Sequence, residues 1–323
     1  MKKRLKKIFI GIDVGGTKLL AALIRENGKV LFRKKISTPP SALAHIIAKK
    51  LISLIADVKE EGRHHSGRLS GIGIGIPGIV SPDGKEILRT PNIQLSNYPL
   101  YKKIKEKFKV RLAIGNDVNC GLLGEYWLGA ARGAKNIIGI FPGTGVGGAI
   151  ILNGKLFTGS QGAAGEFGHM IMDYNSKLKH AGVIGSLEAL TSRRAIEREI
   201  RNAFKKNEKT IITKYLEGDL KIIKSKILAK ALKKRDRVVA RIIKDVGLIL
   251  GQACISLRHI FNPDMIVFGG GLIEACGGYI LPYVRIISQR DPFFKGIDHC
   301  EIVPSELGDD AVILGTVKLV KDS

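Results

Sequence analysis

Hydrophobic positions take two forms along this chain. Short unbroken apolar runs, rich in Ile and Val and bounded by glycine, predict strands, while longer stretches with apolar residues three and four apart predict amphipathic helices. Ile8–Ile24, IFIGIDVGGTKLLAALI, is two such runs parted by Asp13, Gly15, Gly16, Thr17 and Lys18, and reads as strand, glycine turn, strand. Ile137–Ile151, IIGIFPGTGVGGAII, repeats that design around Gly143, Thr144, Gly145, Gly147 and Gly148. After the first hairpin, a third strand is predicted at Lys29–Ser37. Ser41 is placed to cap a helix whose apolar face runs from Leu43 to Val58, and the polar segment Glu60–Ser70 ends it. Gly71–Gly78 then reads as a strand entering a turn, Val110–Ile114 as a strand, and Cys120–Ala131 as a helix. In the second half, Ser192–Lys206 reads as helical and Lys205–Lys234 as a charged helical region. Val239 to Ile260 trace one long buried helix face that Asn262 and Pro263 stop. Met265–Phe268 is a strand running into Gly269, Gly270 and Gly271, and the C-terminal GDDAVILGTVKLV reads as a capped helix.

Two equivalent hairpins predict a duplicated α/β fold, and 323 residues with 45% hydrophobic content suffice for two modest cores. The net charge of +24 admits nucleic acid as a partner, but the lysines are spread over surface-type segments, so a solvated basic surface is the expectation. MKKRLKK followed by IFIGI imitates a signal peptide, yet Asp13 and the glycine turn cut the apolar run short. No export and no membrane span are expected, and the location is expected to be cytoplasmic. Cys120, Cys254, Cys276 and Cys300 are scattered without a CxxC pair, so neither disulfides nor a thiolate metal site is indicated.

The hairpin turns carry the first chemistry. Glycine admits backbone conformations closed to other residues and leaves N–H groups bare, so such a turn can approach an anion closely. Lys18 adds charge beside the first turn, and Asp13 at the end of its strand is placed to hold a cation through water; a phosphate with Mg²⁺ fits both. Gly73, Gly75 and Gly78, and equally Gly143, Gly145 and Gly148, match the dinucleotide GxGxxG spacing, but neither leads into the helix that such a site requires. GGTK also lacks the GK[ST] ending of a Walker A loop. Asn116 and Asp117 read as helix caps in isolation. A carboxylate at the carboxyl end of a strand, between two phosphate-type hairpins, is also where α/β enzymes keep their chemistry.

With these motifs in order, the chain from about Ile8 to its end resembles the ROK family of sugar kinases and repressors. The resemblance implies a duplicated actin-like (ribonuclease H-like) ATPase fold of α/β class, two domains with a central cleft. Residues 1–115 plus about 306–323 would form the small domain and 116–305 the large one. Asn116, Asp117 and Asn119 match the family's NDxN, with Gly115 where a glutamate is usual, and Asp117 takes the catalytic position. Glu166 and His169 match GExGH, and Glu188 closes the family's cysteine-rich loop; these three, with Asn116, would reach sugar hydroxyls. GIPG at Gly78 and TPN at Asn92 resemble sugar-facing loops, and FNPDMIVFGGG resembles the adenosine-side motif. The cysteine positions of the zinc loop carry Lys179, Ala181 and Ser186, so no bound zinc is expected; one histidine without thiolates does not make a tetrahedral site.

The resemblance thus implies an ATP- and Mg²⁺-dependent hexose kinase, foremost a glucokinase, with Gly15 to Lys18 and Gly143 to Gly147 on the phosphates. N-acetylmannosamine, N-acetylglucosamine and fructose kinases share the motifs. A sugar-sensing regulator is the reading from another class. Family regulators carry a winged-helix segment, and only Met1 to Lys7 precede Ile8 here, so no specific nucleic acid is expected. The resemblance also implies a homodimer or homotetramer.

Overall fold

The apolar runs are continuous rather than alternating because the strands they form are covered on both faces. A computed structural model of the chain describes residues 6–39, 42–65, 67–215, 223–297 and 299–323. β1 (Lys6–Val14), β2 (Lys18–Arg25) and β3 (Val30–Ser37) form an antiparallel meander. Helix α1 (Ala44–His64) crosses to β4 (Gly67–Ile76), parallel to β1. A short hairpin, β5 (Ile79–Val80) and β6 (Ile87–Arg89), and helix α2 (Leu100–Phe108) precede β7 (Arg111–Asn116), parallel to β4.

Helix α3 (Asp117–Leu128) then leads to β8 (Ile137–Pro142), β9 (Val146–Leu152) and β10 (Lys155–Leu156), again antiparallel. A small hairpin, β11 (Lys179–His180) and β12 (Val183–Ile184), is followed by α4 (Leu187–Thr191), α5 (Arg193–Lys205), α6 (Ser225–Lys233) and the long α7 (Arg237–Phe261). β13 (Met265–Phe268), α8 (Gly271–Ser288) and β14 (Glu301–Pro304) complete the second sheet, and α9 (Ala311–Asp322) closes the chain. The sheet orders, β3-β2-β1-β4-β7 and β10-β9-β8-β13-β14, follow one plan: a meander flanked by two parallel strands. The fold is therefore duplicated. Among the described residues, no helix is long and apolar enough to cross a membrane.

Several boundaries depart from the sequence reading. Helix α3 begins at Asp117 rather than Cys120 because the Asn116 side chain accepts the Asn119 N–H at 2.9 Å and starts the helix there. Helix α1 runs through the polar stretch to His64, and β4 starts at Gly67 because its pairing with β1 extends to Lys6. The proposed cap Ser41 lies outside the described residues, and Leu43, at the cap position, supplies no side-chain bond. Lys205–Lys234 is not one helix: α5 ends at Lys205, a short 3₁₀ turn spans Ile211–Tyr215, and α6 follows. Ile260, assigned to the buried face of α7, is 67% exposed. Helix α9 has no side-chain cap; the Asp310 carboxylate is instead gripped by Arg33 of β3 through Nε at 3.2 Å and Nη2 at 2.5 Å.

Helix α9 is set into the first half by close backbone approach. A Cβ at Gly315 would lie 1.6 Å from the Cys120 carbonyl oxygen of α3, and one at Gly73 of β4 would lie 2.0 Å from the Thr316 oxygen. Gly124 of α3 and Gly11 of β1 are equally tight against Ala311 and Ile313. Nothing but hydrogen fits. Gly315→Ala is expected to lower the apparent melting temperature by roughly 5–10 °C, at the upper end of overpacking costs. Gly278→Ala in α8, where nothing lies within 4 Å of the added Cβ, should leave it unchanged or raise it. Thermal unfolding by circular dichroism distinguishes the two.

Candidate active site between the two hairpins

Each glycine turn is built so that some backbone donors shape the loop and others stay available. In the first, the Gly15 N–H donates to Lys18 O at 2.8 Å, and Thr38 clamps the turn from β3 through its N–H on Thr17 O and its hydroxyl on Gly15 O. In the second, the Gly143 N–H donates to Gly145 O at 2.7 Å. Arg193 braces that loop with its N–H on Gly143 O at 2.9 Å and Nη2 on Thr144 Oγ1 at 3.1 Å. The N–H groups of Gly16, Thr17, Thr144 and Gly145 are left without a protein acceptor among the described residues. A Cβ at Gly143 would meet nothing within 4 Å, so this turn faces open space. Gly145 and Gly147 are glycines for packing, against Glu188 and Val118 respectively.

Two carboxylates converge on one cavity. Asp13 ends β1 and Asp117 opens α3, and both line a cavity of about 220 Å³ with Phe141, Gly270, Glu274, Ser305 and Asp309. Burial pushes the Asp117 carboxyl up to about 6, with the charges of Asp13 and Glu166 adding to the rise and the Val118 N–H, 2.9 Å from Oδ1, opposing it. Burial likewise raises Asp13, against the pull of Lys18 and with a push from Asp309. Lys18 itself reaches Asp309 at 3.4 Å. Buried anions raised in this way gain from an added cation. Among the described residues, no three His, Cys, Asp or Glu side chains are close enough to hold a metal by themselves. That donor set suits Mg²⁺, which keeps several waters and takes one or two carboxylates plus substrate phosphates.

The sugar-side candidates lie next to Asp117. Glu166 is raised by burial, lowered by His169 and raised by Glu188, and it acts in turn on Asp117, so these charges form one electrostatic group. His169 sits on a single 3₁₀ turn, Phe167–His169. The Asn116 amide has both ends engaged: Oδ1 caps α3, and Nδ2 donates to Gly78 O at 2.9 Å. Gly78 has φ of 114° and would place a Cβ 2.0 Å from Arg89 O, so only glycine fits this turn. Asn92 stands apart, bordering a cavity of about 780 Å³ with Gly16 and Thr90 on the first half. Gly270, with φ of 82°, starts α8 at the 220 Å³ cavity; Gly269 is roofed by the Phe141 ring, and Gly271 is open. At the cysteine positions, Ser186 is buried and caps α4 through the Ala189 N–H, Lys179 lies in β11, and Ala181 is in a tight turn.

Sequence reasoning missed Glu274, Ser305, Asp309 and Arg193. The GDD of the C-terminal stretch was visible but read only as a cap, and a lone arginine after a helix start carries no signal.

The family model described as the ROK family matches residues 9–323. A glucokinase of Thermotoga maritima is 31% identical over 318 residues, covering 97% of each chain. A xylose repressor of Caldicellulosiruptor bescii is 30% identical over 311 residues, 96% of this chain and 77% of that protein. Among solved structures, a ROK family glucokinase from Streptomyces griseus in complex with glucose and AMPPNP superposes with a TM-score of 0.81 at 29% identity, covering 98% of this chain and 100% of that one.

The Asp117 shift has a consequence for stability. Its folded pKa, about 6, exceeds the ordinary value of 3.8, so the fold holds this proton more tightly than the unfolded chain does. The resulting stability is complete below about pH 4 and lost as pH rises through 6. Asp117→Asn should therefore match the wild type near pH 4 and exceed it by about 1–3 kcal/mol at pH 7.5. Denaturant unfolding at the two pH values measures this, and a gap that does not grow with pH would contradict it.

Proposed function

The chain belongs to the ROK family, and from that premise we propose that it is an ATP-dependent sugar kinase acting on the 6-hydroxyl of a hexose, glucose first among the candidates. The observation that carries this reading is the buried carboxyl of Asp117, set near pH 6 at the start of α3 and sharing one cavity with Asp13. A general base works best with a pKa near the operating pH. Asp117 takes the proton of the attacking hydroxyl as it moves in line on the γ-phosphate. The remaining task is positioning and neutralising charge. The donors at Gly16, Thr17, Thr144 and Gly145 hold phosphate oxygens, with Lys18 beside them. Asp13 would hold Mg²⁺, which when bound would supply neutralising charge to the phosphates. Glu166, His169 and Glu188, with Asn116, Gly78 and Asn92 around them, satisfy the sugar hydroxyls, and Gly269 to Gly271 lie against the adenosine. Residues 1–115 with 306–323 close on 116–305 to exclude water. The glucokinase relatives favour glucose; N-acetylhexosamines and fructose are the neighbouring choices, decided by a few pocket side chains.

The repressor relative supports a second reading, a sugar-responsive regulator that binds without turnover. A coupled ADP-release assay with ATP and Mg²⁺ across hexoses and N-acetylhexosamines separates the two. Sugar-dependent turnover is expected, falling on the order of 10²- to 10⁴-fold in Asp117→Asn while sugar binding persists. In the wild type, kcat/KM should decline about tenfold per pH unit below about 6 and level off above it, since the base must be ionised in the free enzyme. Sugar binding without turnover would favour the regulator; near-normal turnover in Asp117→Asn would remove Asp117 as the base.

A further inference from the structure

The segment between His169 and Glu188 holds a set of contacts that the chemistry above leaves unused. His180 ends β11, and the two-residue turn after it, Ala181 with φ of 46° and Gly182 with φ of 85°, folds β12 back so that His180 faces Val183. Two successive positive φ values make the tight hairpin turn that matches strand twist. This turn fixes where the imidazole stands. Its buried Nδ1 stands in close contact with Glu188 Oε1, without the angular geometry of a hydrogen bond, and its Nε2 lies 3.1 Å from Arg194 Nη1. The other Glu188 oxygen, Oε2, accepts the Val146 N–H at 2.6 Å, at the edge of the second glycine turn.

The donor inventory settles the ring's tautomer. A guanidinium only donates, so Nε2 must offer Arg194 its lone pair, and the ring proton resides on Nδ1, facing the carboxylate. The imidazole thus stands between a guanidinium and Glu188. The carboxylate has about four acceptor positions. Val146 occupies one of them on Oε2, and the His180 ring stands against Oε1, so each carboxylate oxygen has a protein neighbour. The Glu188 side chain is only 14% exposed, so few waters can replace either partner.

We propose that His180 is a positioning residue for Glu188, holding the carboxylate at the angle at which it receives a sugar hydroxyl, with Arg194 holding His180 in the required tautomer. The inference rests on the kinase reading of the site. It also accounts for a loop without thiolates: Ser186 caps α4, and the His180 contact fixes the acidic side chain that α4 carries.

The test compares wild type, His180→Ala and His180→Asn, whose amide nitrogen takes the place of Nδ1 and still donates. Steady-state kinetics on the preferred sugar and calorimetric sugar binding are read together. His180→Ala is expected to raise the sugar KM and Kd by about 10- to 100-fold, the usual result of a misplaced binding group, with kcat within about threefold. His180→Asn should return both constants to within about threefold of wild type. Equal sugar affinity in wild type and His180→Ala, or an asparagine variant as impaired as the alanine one, would overturn the role. A wild type that binds sugar without turnover sinks the kinase reading alone, since the affinities still report on His180; a wild type that binds no sugar sinks both.

Discussion

The crossing of α3 and α9 is the contact on which the site depends. Gly124 and Gly315 let the two helix backbones touch, and Gly11 and Gly73 let α9 sink onto the first sheet. Glu125, fully buried in α3, accepts the N–H groups of Ala130, Glu306 and Leu307. Residues far apart in sequence are thereby held in one frame. Asp117 leaves the start of α3, while Ser305 and Asp309 leave the segment that Glu125 grips, and all three reach one cavity. A side chain at any of those glycines would push α9 away from α3 or from the first sheet.

Within this frame the cleft is arranged against its own electrostatic comfort. Asp13, Asp117 and Glu166 are all held above their ordinary carboxylate range by burial, and mutual repulsion adds to it. Nearby protein donors only partly compensate. Such an arrangement costs stability in the free protein and is relieved when a cation or a hydroxyl arrives, which is the physical sense in which the site is prepared for ligand. The rest of the fold offsets that cost through two large apolar cores, one beneath each sheet.

The second glycine turn and Glu188 are held by one junction. Arg193 braces it at Gly143 and Thr144, and Glu188 receives its Val146 N–H. The α4–α5 junction that carries both residues therefore holds the glycine turn at both of its ends. Ser186 and Ser192 cap these two helices, so side-chain to backbone bonds define both of their starts.

The sequence by itself determined the repeated hairpins, the duplicated α/β class, the family and the candidate residues Asp13, Asp117, Glu166, His169 and Glu188. Those signals are local: apolar runs, glycine turns and motif spacings are set by backbone chemistry within about twenty residues. It placed the start of α3 late because the Asn116 cap was recognised as an option while its partner, the Asn119 N–H, was not. Only the tertiary structure decided that Asp117 titrates near 6, that Asp309 and Ser305 join it, and that His180 meets Glu188. Burial and charge proximity depend on which distant segments are brought together, and here the glycine contacts of α9 and the turn at Ala181 and Gly182 do so without leaving a periodicity in the chain.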